Sequence, residues 1–362
     1  MNKGWEQRKL KDISIIIAGG DKNKDKLKKI GNYPVIANAV NSDGVVGYYD
    51  DSYRIEAPAI TVTGRGDIGH ATPRYLNFTP VVRLLALKTK HNVLFLANAI
   101  NKITIFNEST GVPQLTKPQL SKYSVKVTKL NEEKKISKII NTLNKLVTLQ
   151  QRKLRQLKQL KMVMLQQLFV DKNNKKPNLR FKNFKGDWEK QRLEEVAQVT
   201  MGQSPSSKNY TDNPNDYVLV QGNADLKSNK ISPRVWTKEI TKQVHKGEII
   251  MTVRAPVGYL AMANMDAVIG RGVAAIDGNK YLYYLLQTKL MDRTWEKLSS
   301  GSTFESISSN DIKNLEIKVT ETEEEKLIAK LMDTVTYFVT IQQDNLTQLT
   351  TLKKYLLQKL FI

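Results

Sequence analysis

Residues 131–169 read NEEKKISKIINTLNKLVTLQQRKLRQLKQLKMVMLQQLF, and residues 323–361 read EEEKLIAKLMDTVTYFVTIQQDNLTQLTTLKKYLLQKLF. At a constant offset of 192 they agree at 19 of 39 positions, far more than unrelated sequences share, so the chain contains a duplication. Both copies carry the same periodic pattern. In the first, Ile136, Ile140, Leu143, Val147, Gln150, Leu154, Leu157, Lys161, Met164 and Leu168 are spaced alternately four and three. In the second, Ile328, Met332, Val335, Val339, Gln342, Leu346, Leu349, Lys353, Leu356 and Leu360 repeat it. That spacing is a heptad seam and predicts a coiled coil, against the plainer reading of an amphipathic helix packed on its own domain. The polar seam residues Gln150/Gln342 and Lys161/Lys353 cost stability but fix register. A helix of this length is about 58 Å long. Two of them in one chain most simply pair with each other, and antiparallel.

Working outward, the repeat extends upstream. Trp5-Glu6 with Leu10 matches Trp188-Glu189 with Leu193 at offset 183, and Ser124-Val125-Lys126-Val127 matches Glu316-Ile317-Lys318-Val319 at offset 192. The second copy therefore holds nine extra residues in its middle. Each half reads as an extended Trp-Glu start, a variable mixed domain and a long helix. The runs APAITVTGRGDIG and GEIIMTVRAPVG predict strands ending in glycine turns, while HNVLFLANAINKITIF and YLYYLLQTKLMDRTWEKL predict helices. Thr116-Lys117-Pro118-Gln119 fits a capping box, with Ser308-Ser309-Asn310-Asp311 in the equivalent place. The segment VDKNNKKPNLRFKNFKGD predicts a basic linker. The expected division is residues 1–130, a first variable domain; 131–170, a long helix; 171–187, the linker; 188–320, a second variable domain; and 321–362, a second long helix. The fold class is α+β, two repeated mixed domains each followed by a long helix.

Composition narrows the function. Lys and Arg number 57 against 35 acids, a net charge of +22, which favours a polyanionic partner over a merely basic surface. Residues 1–187 hold 35 basic and 14 acidic side chains; the remaining 22 and 21 lie in 188–362. No cysteine is present, which excludes disulfides, thiolate nucleophiles and cysteine-based zinc sites. No run of about eighteen apolar residues suggests a membrane span. The start, MNKGWE, has no apolar signal region, so the cytoplasm is the expected address.

One stretch tempts a different reading. Residues 64–69, GRGDIG, form a literal G-x-G-x-x-G after a strand-like run. A dinucleotide site needs a helix to start on those glycines, and Pro73 follows too soon. The repeat partner, RAPVG at 254–258, lacks the first two glycines. The copies share Thr-x-Arg-x-x-(Ile/Val)-Gly: Thr63, Arg65, Ile68 and Gly69 against Thr252, Arg254, Val257 and Gly258. An arginine on a tight loop suits DNA, since arginine can bond a guanine edge bidentately and basic side chains neutralise phosphates. Pairing with a nearby acid, to hold the loop, is the competing role. Asn38, Asn41, Arg74, Asn223, Arg271 and Ser302 are weaker candidates on turns, where the same residue types serve as turn formers. Together with Thr63 and Thr252 these make up the DNA-contact candidates. No phosphate-binding lysine loop or nucleophile elbow stands out, and His70, His91 and His245 show no metal-ligand spacing. Neither a catalytic residue nor a metal ligand is assigned.

The stretches LRFKNFKGDWEKQRLEEVA (179–197), GSTFESISSNDIKNLEI (301–317) and EEEKLIAKLMDTV (323–335), echoed by GVPQLTKPQLSKYSV and EEKKISKIINTL in the first half, resemble the specificity subunit of type I restriction–modification systems. The resemblance spans essentially the whole chain; one departure is that the first copy begins at Asn2-Lys3-Gly4-Trp5 without a Leu-Arg-Phe run. It implies a non-catalytic subunit with two inverted target recognition domains, each reading part of a split, asymmetric double-stranded DNA site. The antiparallel coiled coil would act as the ruler that sets the spacer. It implies methyltransferase subunits that flip and methylate adenine with S-adenosylmethionine, and translocase–nuclease subunits using ATP and Mg2+, with no cofactor in this chain. The alternative is a coiled-coil assembly scaffold whose basic domains bind nucleic acid loosely. A fused nuclease or methyltransferase is poorer, for want of motifs.

Overall fold

The computed structural model describes residues 4–39, 41–106, 111–171, 173–299 and 306–361. The chain forms two compact units, each assembled from separated stretches: Met1–Gln151 with Asp344–Ile362, and Arg152–Gln343. The division cuts both long helices at equivalent places, since Gln151 and Gln343 are 192 residues apart.

In the first unit a four-stranded antiparallel sheet runs in the order Ser14–Ala18, Leu84–Thr89, Ala59–Thr63, Ala71–Arg74. Its central strand, AITVT, is buried at every position, because both faces are covered. The helix Val93–Ile100 packs on the sheet, putting Phe95, Leu96 and Ile100 against Ile60, Val62, Leu85 and Leu87. Burying each such side chain contributes about 1.5–3 kcal/mol. Asn92 caps this helix, accepting from the Leu94 and Phe95 N–H groups. The helix stops at Ile100 rather than running on through KITIF. Asn101 turns its side chain to the Ala71 backbone, and Ile103 and Ile105 pack on the core from an irregular segment. A smaller sheet orders Val45–Tyr49, Tyr33–Ile36 and Thr79–Pro80. The ribbon Glu6–Lys9 with Ser124–Val127 then leads into the first long helix, Leu130–Leu168.

The second unit repeats this plan. Its four-stranded sheet has the equivalent order Gln198–Met201, Val273–Asp277, Ile249–Thr252, Leu260–Met262. The covering helix is Lys280–Met291, and the ribbon Glu189–Arg192 with Glu316–Val319 leads into Thr322–Leu360. The ribbons agree in register: Glu6 faces Val127, and Glu189 faces Val319. The nine extra residues enter piecemeal. Ile36 answers to Val220, 184 residues on, and Thr63 to Thr252, 189 residues on, so five of them fall between these strands. There the second sheet has five strands, including the two-residue strands Trp236–Thr237 and Gln243–Val244, where the first unit's has three. Both capping boxes form, at Thr116 with Gln119 and Ser308 with Asp311. The described residues between 170 and 187 contain no helix or strand.

Within the first unit, Ile136 and Ile140 at the start of the first long helix share a core with Leu357 and Leu360 at the end of the second. Within the second unit, Leu165 and Leu168 share a core with Ile328 and Met332. Only an antiparallel pair satisfies both. Ile136, Ile140, Leu143, Leu154, Leu168, Ile328, Met332 and Val335 are buried, and Val147, Leu157, Val339, Leu346 and Leu349 are half-buried. The polar seam residues are also shielded. Gln342 is buried with its amide oxygen unpartnered, and Lys161 lies with Nζ 5.6 Å from the Tyr284 ring centroid. Burial pushes the Lys161 pKa down, with Asp333 opposing it.

Candidate nucleic-acid interface

The glycine loop joins two antiparallel strands, Ala59–Thr63 and Ala71–Arg74, so no helix starts on its glycines as a dinucleotide cradle requires. Thr63 is buried and closes the loop. Its hydroxyl donates to the Asp67 carbonyl and accepts from the His70 N–H (2.9 Å), while its carbonyl accepts from the Gly69 N–H (2.8 Å). Thr252 makes the same set: its hydroxyl donates to the Pro256 carbonyl (2.7 Å) and accepts from the Tyr259 N–H (2.9 Å), and its carbonyl accepts from Gly258 (2.8 Å). This is why threonine recurs there, and it leaves neither hydroxyl free for a base. Gly69 and Gly258 adopt φ of +84° and +81°. A Cβ on Gly69 would stand 2.3 Å from Ile105, and one on Gly258 would stand 2.5 Å from Trp295.

The loops present their arginines outward. Arg65 pairs in an isolated β-bridge with Gln114, and Arg254 with Ser306, while both side chains are exposed. Among the described residues neither guanidinium has a hydrogen-bond or ion-pair partner, so the loop-holding role does not fall to these side chains.

The weaker candidates divide. Asn38 is fully occupied: its Oδ1 accepts from the Gly64 (2.6 Å) and Arg65 (3.2 Å) N–H groups, and its Nδ2 donates to the Arg65 carbonyl (2.7 Å). It fixes the loop that carries Arg65. Arg74 donates from Nε to the Thr61 hydroxyl and from its terminal nitrogen to the Asp43 carbonyl, both at 3.0 Å, tying the turn Asn41–Gly44 to the sheet. Burial lowers its pKa, with Asp43 opposing the shift. Asn41 opens that turn. Asn223 and Arg271 are exposed, and Ser302 lies outside the described residues.

Arg271 stands beside the arginine loop, since Val253 donates to the Gly272 carbonyl (2.9 Å). The first unit has a counterpart that the repeat comparison misses. Arg83 sits on the equivalent turn, so close that a Cβ on Gly64 would lie 2.3 Å from its carbonyl oxygen. In strict alignment Arg83 falls opposite Gly272, one position away from Arg271, which hides the pairing. Each four-stranded sheet thus carries, at one end, two exposed arginines on neighbouring turns whose side chains have no partner among the described residues: Arg65 with Arg83, and Arg254 with Arg271. Paired arginines on rigid turns can meet the phosphates and base edges of a duplex.

A family model described as "Type I restriction modification DNA specificity domain" matches residues 2–159 and 185–351. The chain belongs to this family. It is a type I specificity subunit, and its two matched stretches are the two repeats. It is similar to the MjaX type I restriction enzyme specificity subunit of Methanocaldococcus jannaschii, 27% identical over an alignment of 403 positions that covers 98% of this chain and 92% of the relative. It is also similar to the MjaIX specificity subunit of the same organism, 30% identical over 48% of this chain and 42% of that one. Among solved structures, the S subunit of the type I restriction–modification system from M. genitalium matches with a TM-score of 0.71 at 16% identity, covering 100% of this chain and 97% of that one. A chain from a structure concerned with complex assembly and conformational transition of the type I system matches at 0.61 and 19% identity, covering 100% and 98%. These two likenesses confirm the fold of the specificity subunit. No helix among its described residues is long and apolar enough to cross a membrane.

The long helices also leave large apolar side chains exposed. Leu146, Leu352 and Tyr355 are exposed on the long-helix segments of the first unit, and Phe338, Leu160 and Val163 on those of the second. The two sets are related by the 192-residue offset, so each unit keeps an apolar face outside its own core.

Proposed function

We propose that this specificity subunit reads a split, asymmetric site on double-stranded DNA, one half-site per unit, and carries no catalytic group of its own. The observation that bears the reading is the twofold occurrence of one arginine loop, closed by the same threonine bonds and flanked by a second unpaired arginine. The net charge of +22 supplies the attraction for phosphates. The long helices serve as the ruler: a helix rises about 1.5 Å per residue and is stiff, so their length sets the unread spacer between half-sites. The repeated exposed apolar faces on those helices are where two adenine methyltransferase subunits dock, each offering a complementary apolar helix face. Those subunits supply S-adenosylmethionine chemistry, and translocase–nuclease subunits supply the steps that use ATP and Mg2+, in the cytoplasm where the DNA lies.

The test is a genome-wide map of N6-methyladenine in cells with and without this gene, the methyltransferase gene being intact and expressed. The expected result is loss of one bipartite motif with a fixed spacer on deletion. Loss of methylation with no such motif would support loose nucleic-acid binding by a scaffold, and an unchanged map would overturn the reading.

A further inference from the structure

The two arginines at each sheet end differ in how they are repeated. Arg65 and Arg254 hold the same position in the same loop, with the same threonine bonds beneath and the same bridge alongside. Arg83 and Arg271 lie on one turn of common framing but one position apart. Both turns have three residues, VVR at 81–83 and GRG at 270–272. In the first, Val81 donates to the Ile36 carbonyl (2.8 Å) and Leu84 to that of Val81 (3.0 Å). In the second, Gly270 donates to Val220 (2.8 Å) and Val273 to Gly270 (3.1 Å). Arg83 takes the third place, with φ +76°. In the second unit that place is Gly272, where a Cβ would stand 2.0 Å from the Gln221 carbonyl oxygen, so no side chain fits and the arginine occupies the middle place. Its backbone there is fixed from outside the turn, by the Arg271 N–H donating to the Ser204 hydroxyl (3.1 Å).

A side chain that discriminates must differ between two readers of different half-sites. One held identically in both contributes what the half-sites have in common, and every duplex shares its phosphate backbone. We propose that Arg83 and Arg271 contact base edges of their own half-sites, and that Arg65 and Arg254 grip phosphates. The assignment rests on the DNA-reading function proposed above. The apolar surroundings agree: Val82, beside Arg83, is exposed in the first unit, whereas glycines flank Arg271 in the second, so the two turns offer different surfaces to the bases.

The experiment uses the full chain assembled with its methyltransferase subunits, with all four arginines changed singly to Ala and to Lys. Binding is measured on a duplex carrying the site mapped by methylation, on duplexes with single base changes in either half, and across a salt series. For Arg65→Ala and Arg254→Ala the expected result is uniform weakening on every duplex. The slope of log affinity against log salt should shrink by about 0.9, and lysine should restore most of the binding. For Arg83→Ala and Arg271→Ala the expected result is a fall of about five- to hundredfold in discrimination, each in one half-site only and not restored by lysine. Relaxed half-site preference in Arg65→Ala or Arg254→Ala would overturn the division of roles. So would uniform, lysine-rescued weakening in Arg83→Ala or Arg271→Ala. If the unsubstituted complex shows no preference among the duplexes, it is the reading of DNA sequence itself that fails.

Discussion

The first turn of each long helix holds adjacent glutamates, Glu132 and Glu133 in one and Glu323, Glu324 and Glu325 in the other, and the two units bury non-equivalent ones. In the second unit Glu324 is fully buried. Arg180 donates to it from two nitrogens at 2.8 Å, and the Thr320 hydroxyl also donates. In the first unit the equivalent Glu132 is exposed and receives only the Trp5 indole N–H (3.2 Å) and the Thr128 hydroxyl (2.7 Å). The buried carboxylate there is its neighbour Glu133, bonded to His91 Nδ1 (2.7 Å) and the Asn92 N–H (3.0 Å). Its counterpart Glu325 is half-buried, with a pKa raised by burial and a long contact to Asn279 (3.4 Å). Duplication has kept the backbone frame and the threonine–glutamate hydrogen bond while the buried carboxylate moved by one residue. A frame of sheet and seam is fixed by many small contacts, whereas a buried charge needs one good partner and goes wherever the chain supplies it. In the second unit the linker supplies Arg180; in the first, the chain just before the covering helix supplies His91 and the Asn92 N–H.

The largest way to break this contrast is Arg180→Ala. It strands a fully buried carboxylate, so the second unit should lose about 3–5 kcal/mol. Hydrogen exchange should show protection falling in the second unit while the first is unchanged; equal loss in both, or none, would end the comparison. The acid limb adds a direction. Burial raises the Glu324 pKa, but the Arg180 and Thr320 hydrogen bonds and the Arg180 charge outweigh it, so the folded value lies below the ordinary 4.5. Its stabilisation is therefore complete above about 4.5 and disappears as pH falls through the folded value. Without Arg180 that acid-side loss should shrink, because burial, the largest remaining influence, favours the protonated carboxyl.

A smaller effect tests what the units share. Thr63→Val and Thr252→Val keep the shape but leave two backbone groups of each loop without their partner, at a cost of about 1–3 kcal/mol. The two costs should match, measured as local exchange protection at residues 69 and 258. A large inequality would show that the common geometry does not carry common energetics. The smallest effect concerns charge. Residues 1–130 hold 20 basic and 10 acidic side chains, against 17 and 15 in 188–320. Lys24→Gln with Lys29→Gln, both exposed, should flatten the salt dependence of DNA binding by up to about 0.9 for each phosphate no longer neutralised. Lys227→Gln with Lys230→Gln, exposed in the second unit, should flatten it less. Equal slopes would place the non-specific attraction evenly.

Much of the fold is legible in the sequence wherever the signal is local or periodic. The seam shows because 3.5-residue spacing repeats over five heptads, and the capping boxes show because their partners are three residues apart. The overrun of the helix at Ile100 has the opposite cause. KITIF is apolar enough to continue it, and only the meeting of Asn101 with the Ala71 backbone ends it. Two-residue strands such as Gln243–Val244 carry no period at all. In the candidate interface, Arg65 and Arg254 were visible because the repeat aligns them. Arg83 was not, because its equivalence to Arg271 lies in a turn and not in a column of the alignment.

By itself, then, the sequence determined the duplication, the two long helices and their seam, the strand that leads to each arginine loop, and the excess of positive charge. All of these follow from spacing along the chain or from counting. Tertiary structure decided that Thr63 and Thr252 close their loops, that Asn38 is spent on holding the Arg65 loop and Arg74 on tying the turn Asn41–Gly44 to the sheet, that Glu133 is buried in one unit and Glu324 in the other, and that Arg83 joins Arg65. Apart from the threonine closures, which span only four to seven residues, each depends on groups distant in sequence meeting within about 3 Å, the range over which hydrogen bonds and close packing act.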